Sequence, residues 1–163
     1  MNTLSRLLAL ALLALSFSPG AHGRCPSAEA WAQAFHRDHA DFHSAARIGD
    51  LSRLTPRFAQ LLQREWAYAN GEVGHLDHDP WLGAQDGEMA APPSFTLIAD
   101  DGHGVSVAMR YPFALDDQGP RTPHEVRLVL VRDAARCWQL DDLVTPRGDS
   151  LAALYATPEA PGR

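Results

Sequence analysis

The apolar spacing of this chain changes period once, near residue 93, and that change restricts the fold more than any other feature. Upstream, Trp31, Phe35, Phe42 and Ala46 share one helical face, and Phe58, Leu61, Leu62, Trp66 and Ala69 share another, opposite Arg57, Gln60 and Arg64. Downstream, Val105, Val107, Met109 and Tyr111 alternate with Ser106, Ala108 and Arg110, and Val126, Leu128 and Leu130 recur at every second position. A helical block followed by strands joined through short turns predicts an α+β fold, with N-terminal helices on one face of a four-stranded antiparallel meander.

Local signals set the expected boundaries. Ser27 is placed to cap the first helix and Gly49 to end it, with Asp50 capping a short turn over 51–54. Thr55-Pro56 supplies a cap and a first-position proline for the second helix, which Asn70-Gly71 stops. From Gly71 to Pro93 there is no sustained period, so the expectation is a long loop with at most one helical turn. Loops of ~20 residues in compact domains are uncommon and tend to be ordered for a reason. Four strands follow, at "SFTLIAD", "VSVAMRYPF", "HEVRLVLV" and "CWQLDDLV", the first two half-buried, separated by the turns "DGHG", "LDDQGPRT" and "RDAAR". In the first of them Phe95, Leu97 and Ala99 oppose Thr96 and Ile98. Pro112 implies an edge or a bulge, and Ser150 caps a last short helix over 151–155.

Residues 1–23 read as a secretory signal peptide: Arg6, the apolar run "LLALALLALSF", then Ala21 and Gly23 at the positions a signal peptidase reads, placing cleavage before Arg24. The run is too short to cross a bilayer core of ~30 Å, and no later segment reads as membrane-spanning. Arg24 stands where a lipoprotein signal needs Gly, Ala or Ser, so no lipid anchor on Cys25 is expected. The remainder suits a single α+β domain over 24–156 with a disordered tail over 157–163, soluble and periplasmic. It carries 13 Arg against 20 acidic residues, a balance of −7. That sign argues against nucleic acid and anionic membranes as partners. Cys25 and Cys137 form an even pair in an exported chain and predict a disulfide that pins the new N-terminus.

Chemistry-bearing residues cluster in "HDPWLGAQD", His78 to Asp86, without an apolar period to explain them. The reading that needs no substrate has Asp79 accepting from backbone N–H groups two or three residues on, Trp81 and Leu82 covering an end of the core, and Gln85 and Asp86 satisfying loop backbone groups. Asp79, Trp81, Gln85 and Asp86 are also the residues expected to meet a ligand or partner, if the loop does so. His36, His39 and His43 fall within about 60° of one another on the first helix, and imidazoles suit Zn, Cu or Ni. Their axial spread of about 10 Å is too long for one ion, so no metal site is expected there unless His75, Asp77, His78 and Asp79 fold over them. Asp86, Asp141, His103 and His78 are the remaining acid–base candidates; His103 sits in an Asp-Gly turn and Asp141-Asp142 at a strand end, where turn and edge chemistry explains them. No serine-elbow or phosphate-loop motif is present, and no catalytic residue or cofactor is expected.

Asp79, Pro80, Trp81, Ala84, Gln85 and Asp86, followed by Cys137, Trp138, Leu140, Asp141, Asp142 and Leu143, resemble the D-P-aromatic-x-x-A-Q-D and C-W-x-[IL]-D-[DE]-[IVL] segments of an uncharacterised family of exported bacterial proteins, many of them envelope lipoproteins. The resemblance covers about residues 30–155. It implies the cystatin-like cone shared with nuclear transport factor and scytalone dehydratase, in which helices pack into a curved sheet, and it implies no activity. The expectation is therefore a non-enzymatic module that binds another envelope protein or a periplasmic toxin. Homodimerisation is a further possibility, through a weakly polar outer face at Ser106, Ala108, Val129 and Val131. The alternatives are an enzyme or small-ligand carrier with its pocket inside the cone, and weak transition-metal binding by the helix histidines.

Overall fold

Ser27 caps α1 (Ala28–His39) by accepting from the Ala30 N–H at 3.2 Å. The computed structural model describes residues 25–44, 51–135 and 137–157. The leader, Gly49, Asp50 and the tail from 158 lie outside the described residues. A single 3₁₀ turn, Leu51–Arg53, precedes α2 (Pro56–Ala69). Thr55 accepts from Phe58 N, Pro56 occupies the first turn, and Asn70 ends the helix in the left-handed region at φ 46°. Each of these is the residue type that a helix terminus requires.

The first helix is shorter than its apolar spacing predicts. It stops at His39, and the chain continues in tight turns, with Phe42 N bonded to His39 O and Ser44 N to Asp41 O. The cause is tertiary: the Trp81 indole N–H donates to Ala40 O at 2.7 Å, taking the carbonyl that a continuing helix would offer to Ser44 N. Phe42 still reaches the core from the turn, at 3% exposure. His43 therefore leaves the helix, and the three-histidine stripe does not form.

The strands are β1 (Glu88–Met89), β2 (Ser94–Asp100), β3 (Gly104–Ala114), β4 (Thr122–Arg132) and β5 (Trp138–Val144). The predicted meander β2-β3-β4-β5 is present, antiparallel throughout, and curls. One short strand joins it from the long loop: β1 pairs Ala114 and Phe113 of β3, on the same edge that β2 uses farther along. Pro112 lies between the β1 and β2 pairings, where a missing N–H is tolerated, and it faces Pro123. There is no bulge at that point. The helices cover one face of the sheet, and Phe58, Leu62, Met109, Leu128, Leu130, Leu140, Leu143 and Leu151 between them are fully buried. A short α3 (Leu151–Leu154) closes the end beside β5.

Two expectations about burial are corrected. β2 is exposed along nearly its whole length, and only Phe95 packs on the core, because the strand lies at the sheet margin, where α1 meets it at Phe95, whose ring is 6.1 Å from that of His36. On the outer face Ala108 is fully buried, and Ser106, Val129 and Val131 are half-buried. Among the described residues no helix is long and apolar enough to cross a membrane. Cys25 and Cys137 form a disulfide, with Cα atoms 5.4 Å apart, and no described cysteine is free. Such a bridge fits an exported chain.

Candidate functional site

Asp79 organises the loop. Its Oδ1 accepts from Trp81 N at 2.7 Å and Leu82 N at 3.0 Å, while Gly83 N returns to Asp79 O at 2.8 Å and Asp79 N to Ala84 O at 3.1 Å. Gly83 takes φ 65°, which favours glycine, and a Cβ there would press on the Pro146 ring at 3.1 Å. The closed turn drives Trp81 inward to 3% exposure, among His36, Phe35 and Phe42 at ring separations of 4.8, 6.4 and 5.8 Å. Gln85 bonds Asp77 O at 3.0 Å. Asp86 is exposed, and among the described residues its side chain makes no hydrogen bond to the loop backbone.

The sheet holds the same loop from the other side. The Tyr111 hydroxyl donates to Trp81 O, and His124 Nδ1 to Leu82 O at 3.0 Å. Neither contact is legible in the sequence, although an inward tyrosine always implies a partner for its hydroxyl. Burial, helped by the Asp79 charge, pushes the Tyr111 hydroxyl above its ordinary pKa, so it stays a donor at any physiological pH.

The acid–base candidates do not converge. Asp141 lies within β5 at a register shift, where it accepts from Thr55 Oγ1 at 2.6 Å and Arg57 Nη2 at 2.7 Å. Partial burial works against its ionisation, but those bonds outweigh burial and hold its carboxyl below the ordinary range. Asp142 accepts from Ser150 Oγ and Ala152 N, anchoring the start of α3. His103 is exposed in its turn, as expected, with Asp101 accepting from the His103 and Gly104 N–H groups. Both strand acids therefore clamp helices to β5.

A cleft of about 690 Å³ opens between the second half of α2 and residues 71–79. His43, Glu65, Asp77, His78, Asp79 and Gln85 line it. Glu65, 7% exposed, accepts from His75 N and faces His75 Nδ1, both at 2.6 Å, a pairing that sequence inspection misses because Glu65 looks like a solvated helix residue. His36 packs on Trp81 instead of on His39 or His43, and among the described residues no group of three His, Cys, Asp or Glu side chains is placed to share a metal ion.

Burial lowers the pKa of both His36 and His43 below the ordinary 6.5, and the neighbouring Asp79 charge offsets this only in part. Between those depressed values and 6.5 the unfolded chain binds more protons than the folded one, so stability rises with pH there. It is complete above about 6.5 and is lost as the pH falls through the folded values. The melting temperature is expected to be level from about pH 8 to about 7 and to fall as the pH drops below about 6.5, with a shallower fall in His43→Gln. A level profile across that interval would contradict the buried, neutral imidazoles.

No family model, no curated protein and no solved structure matches this chain.

Proposed function

We propose that the chain is a non-enzymatic protein-binding module of the periplasm, of the envelope-accessory or toxin-immunity kind, that takes an extended segment of its partner along the edge of β2. The state of the two sheet edges supports this most. β5 is covered: Leu54 bridges Leu140, Thr55 N donates to Leu140 O at 2.9 Å, and Ser150 bridges Val144. β2 pairs only β3 among the described residues, carries no charged side chain before Asp100, and presents Leu97 and Ile98 at 40% and 42% exposure.

An uncharged, exposed edge invites unwanted pairing unless a partner occupies it, and strand addition is a common way for an edge to bind. The register shift between Leu97 and Ala99 confines regular pairing to Ser94–Leu97, enough for a short segment. The contiguous cluster of buried side chains between helices and sheet supports surface binding over a ligand held there. The leader pattern and the disulfide support export.

A periplasmic protein retained by the parent chain is expected to be lost with the Leu97→Lys/Ile98→Lys variant, and amide exchange over 94–98 to slow in the complex. Retention undiminished by those charges, or pairing of the purified chain with itself through this strand in place of a partner, would sink the reading.

A further inference from the structure

We infer, resting on strand addition at β2, that the segment taken up there alternates apolar and polar side chains, with its apolar side toward the helices and a basic residue at its flank. The cross-strand rows of the sheet point to this occupant. On the helix-covered face one row runs Leu143, Leu128, Val107, Leu97, and the next runs Val126, Met109, Phe95. The members on β3, β4 and β5 are fully buried, whereas Leu97 is 40% exposed and Phe95 is only partly covered, beside the His36 ring at 6.1 Å. Each row therefore ends in an apolar side chain that its described neighbours leave partly in water. An apolar partner residue opposite Leu97, and another opposite Phe95, would continue both rows, and cross-strand pairs of this kind are how a sheet gains stability.

The other face asks for the opposite. Its rows run Arg127, Ala108, Thr96 and Glu125, Arg110, Ser94. Thr96 and Ser94 are exposed, and Arg110 and Glu125 form an ion pair at 2.8 Å on the strands behind them. Partner residues that meet this face stay in water, which favours polar ones. Successive side chains point to opposite faces, so a slip of one residue would put every partner side chain on the wrong side, and the alternation also sets the register. The regular stretch is short. It ends at the register shift after Leu97, and Pro92 and Pro93, which have no N–H, precede it. Asp100 and Asp101 follow it, both exposed, with backbone N–H groups of their own turn as side-chain partners. Their charge adds an attraction for a basic flank and a penalty for an acidic one.

Titration of the full, oxidised, isotope-labelled chain with N-acetylated, C-amidated peptides, followed by amide chemical shifts, is the test. KTVTVTK has the inferred pattern, KVTTVTK has the same composition with its valines on opposite faces, and ETVTVTE keeps the pattern but reverses the flanking charge. Saturable shifts centred on residues 94–98 are expected with KTVTVTK. Binding of KVTTVTK should be about three- to tenfold weaker, the worth of two cross-strand pairs. Binding of ETVTVTE should be about threefold weaker or more at low salt, a difference that narrows as salt is added. Leu97→Thr, at an exposed position, should shrink the advantage of KTVTVTK over KVTTVTK. Equal affinity of those two peptides at 94–98, or equal affinity of ETVTVTE at low salt, would overturn the inference and leave strand addition standing. Shifts centred elsewhere, or no saturable shift with any peptide, would also overturn it, and the retention experiment with Leu97→Lys/Ile98→Lys decides strand addition separately.

Discussion

Replacing Trp81 with alanine is expected to destabilise the protein by about 3 to 5 kcal/mol, the range for truncating a buried aromatic, and to lower its melting temperature by roughly 10 °C. Two losses add. The indole is 3% exposed and packs edge-on to His36 and Phe42, so its removal leaves a cavity at the junction of loop, helix and sheet. Its N–H also satisfies Ala40 O, a bond that alanine cannot make. Trp81→Phe separates the two: it keeps most of the buried area and should cost about 1 to 2 kcal/mol for the unpaired carbonyl. With Ala40 O released, Ser44 N can return to it, so far-ultraviolet circular dichroism of that variant should show a small gain in helix. Thermal melts of both variants check this. Were Trp81→Ala to melt like the parent while losing a partner, the loop would be a contact surface and not a cover.

The second large effect is expected from the Cys25→Ser/Cys137→Ser double variant, with a loss of about 2 to 5 kcal/mol. The bridge closes a separation of 112 residues, and its entropic effect on the unfolded chain is greatest for long loops. It also has native consequences. Cys25 lies just before the cap of α1, and Trp138, next to Cys137, donates its indole N–H to Pro26 O at 3.1 Å. Without the disulfide, the Trp138–Pro26 hydrogen bond remains to tie the helix start to β5. Denaturant melts of the double variant against the parent measure the cost. Titration of the parent under denaturing, non-reducing conditions should find no free thiol. Equal midpoints for the two proteins would show that the bridge adds nothing to stability.

Much of the site was legible locally. Asp79-Pro80 predicts a turn whose side chain caps the following N–H groups, and Oδ1 accepts from those two residues. The inward Trp81 follows from its size and from the absence of any helical or strand period around it. Asp86 shows the limit of composition: next to Gln85 in an acidic loop it reads as another backbone partner, yet the turn closes at Ala84 and leaves Asp86 outside. His43 shows a second limit. Apolar spacing carries α1 through Phe42 and Ala46, but a helix also needs each carbonyl to stay available, and Ala40 O goes to a residue 41 positions away. Asp141 and Asp142 look like strand-end acids, and only the position of α2 and α3 against β5 turns them into helix anchors.

What the chain determines by itself is everything that depends on neighbours a few residues apart. The change of apolar period separates helices from strands, Ser27, Thr55 and Asn70 mark helix ends, and the Asp-Gly turn joins β2 to β3. The even cysteine pair adds the disulfide. What only the tertiary structure decides is which distant groups compete for the same donor or acceptor: the indole that shortens α1, the tyrosine and histidine that hold the loop, the marginal place of β2, and the His43 and His78 ring nitrogens left without a hydrogen-bond partner among the described residues. Those outcomes turn on hydrogen bonds and burial between residues tens of positions apart, and no local pattern encodes which of several possible partners arrives first in space.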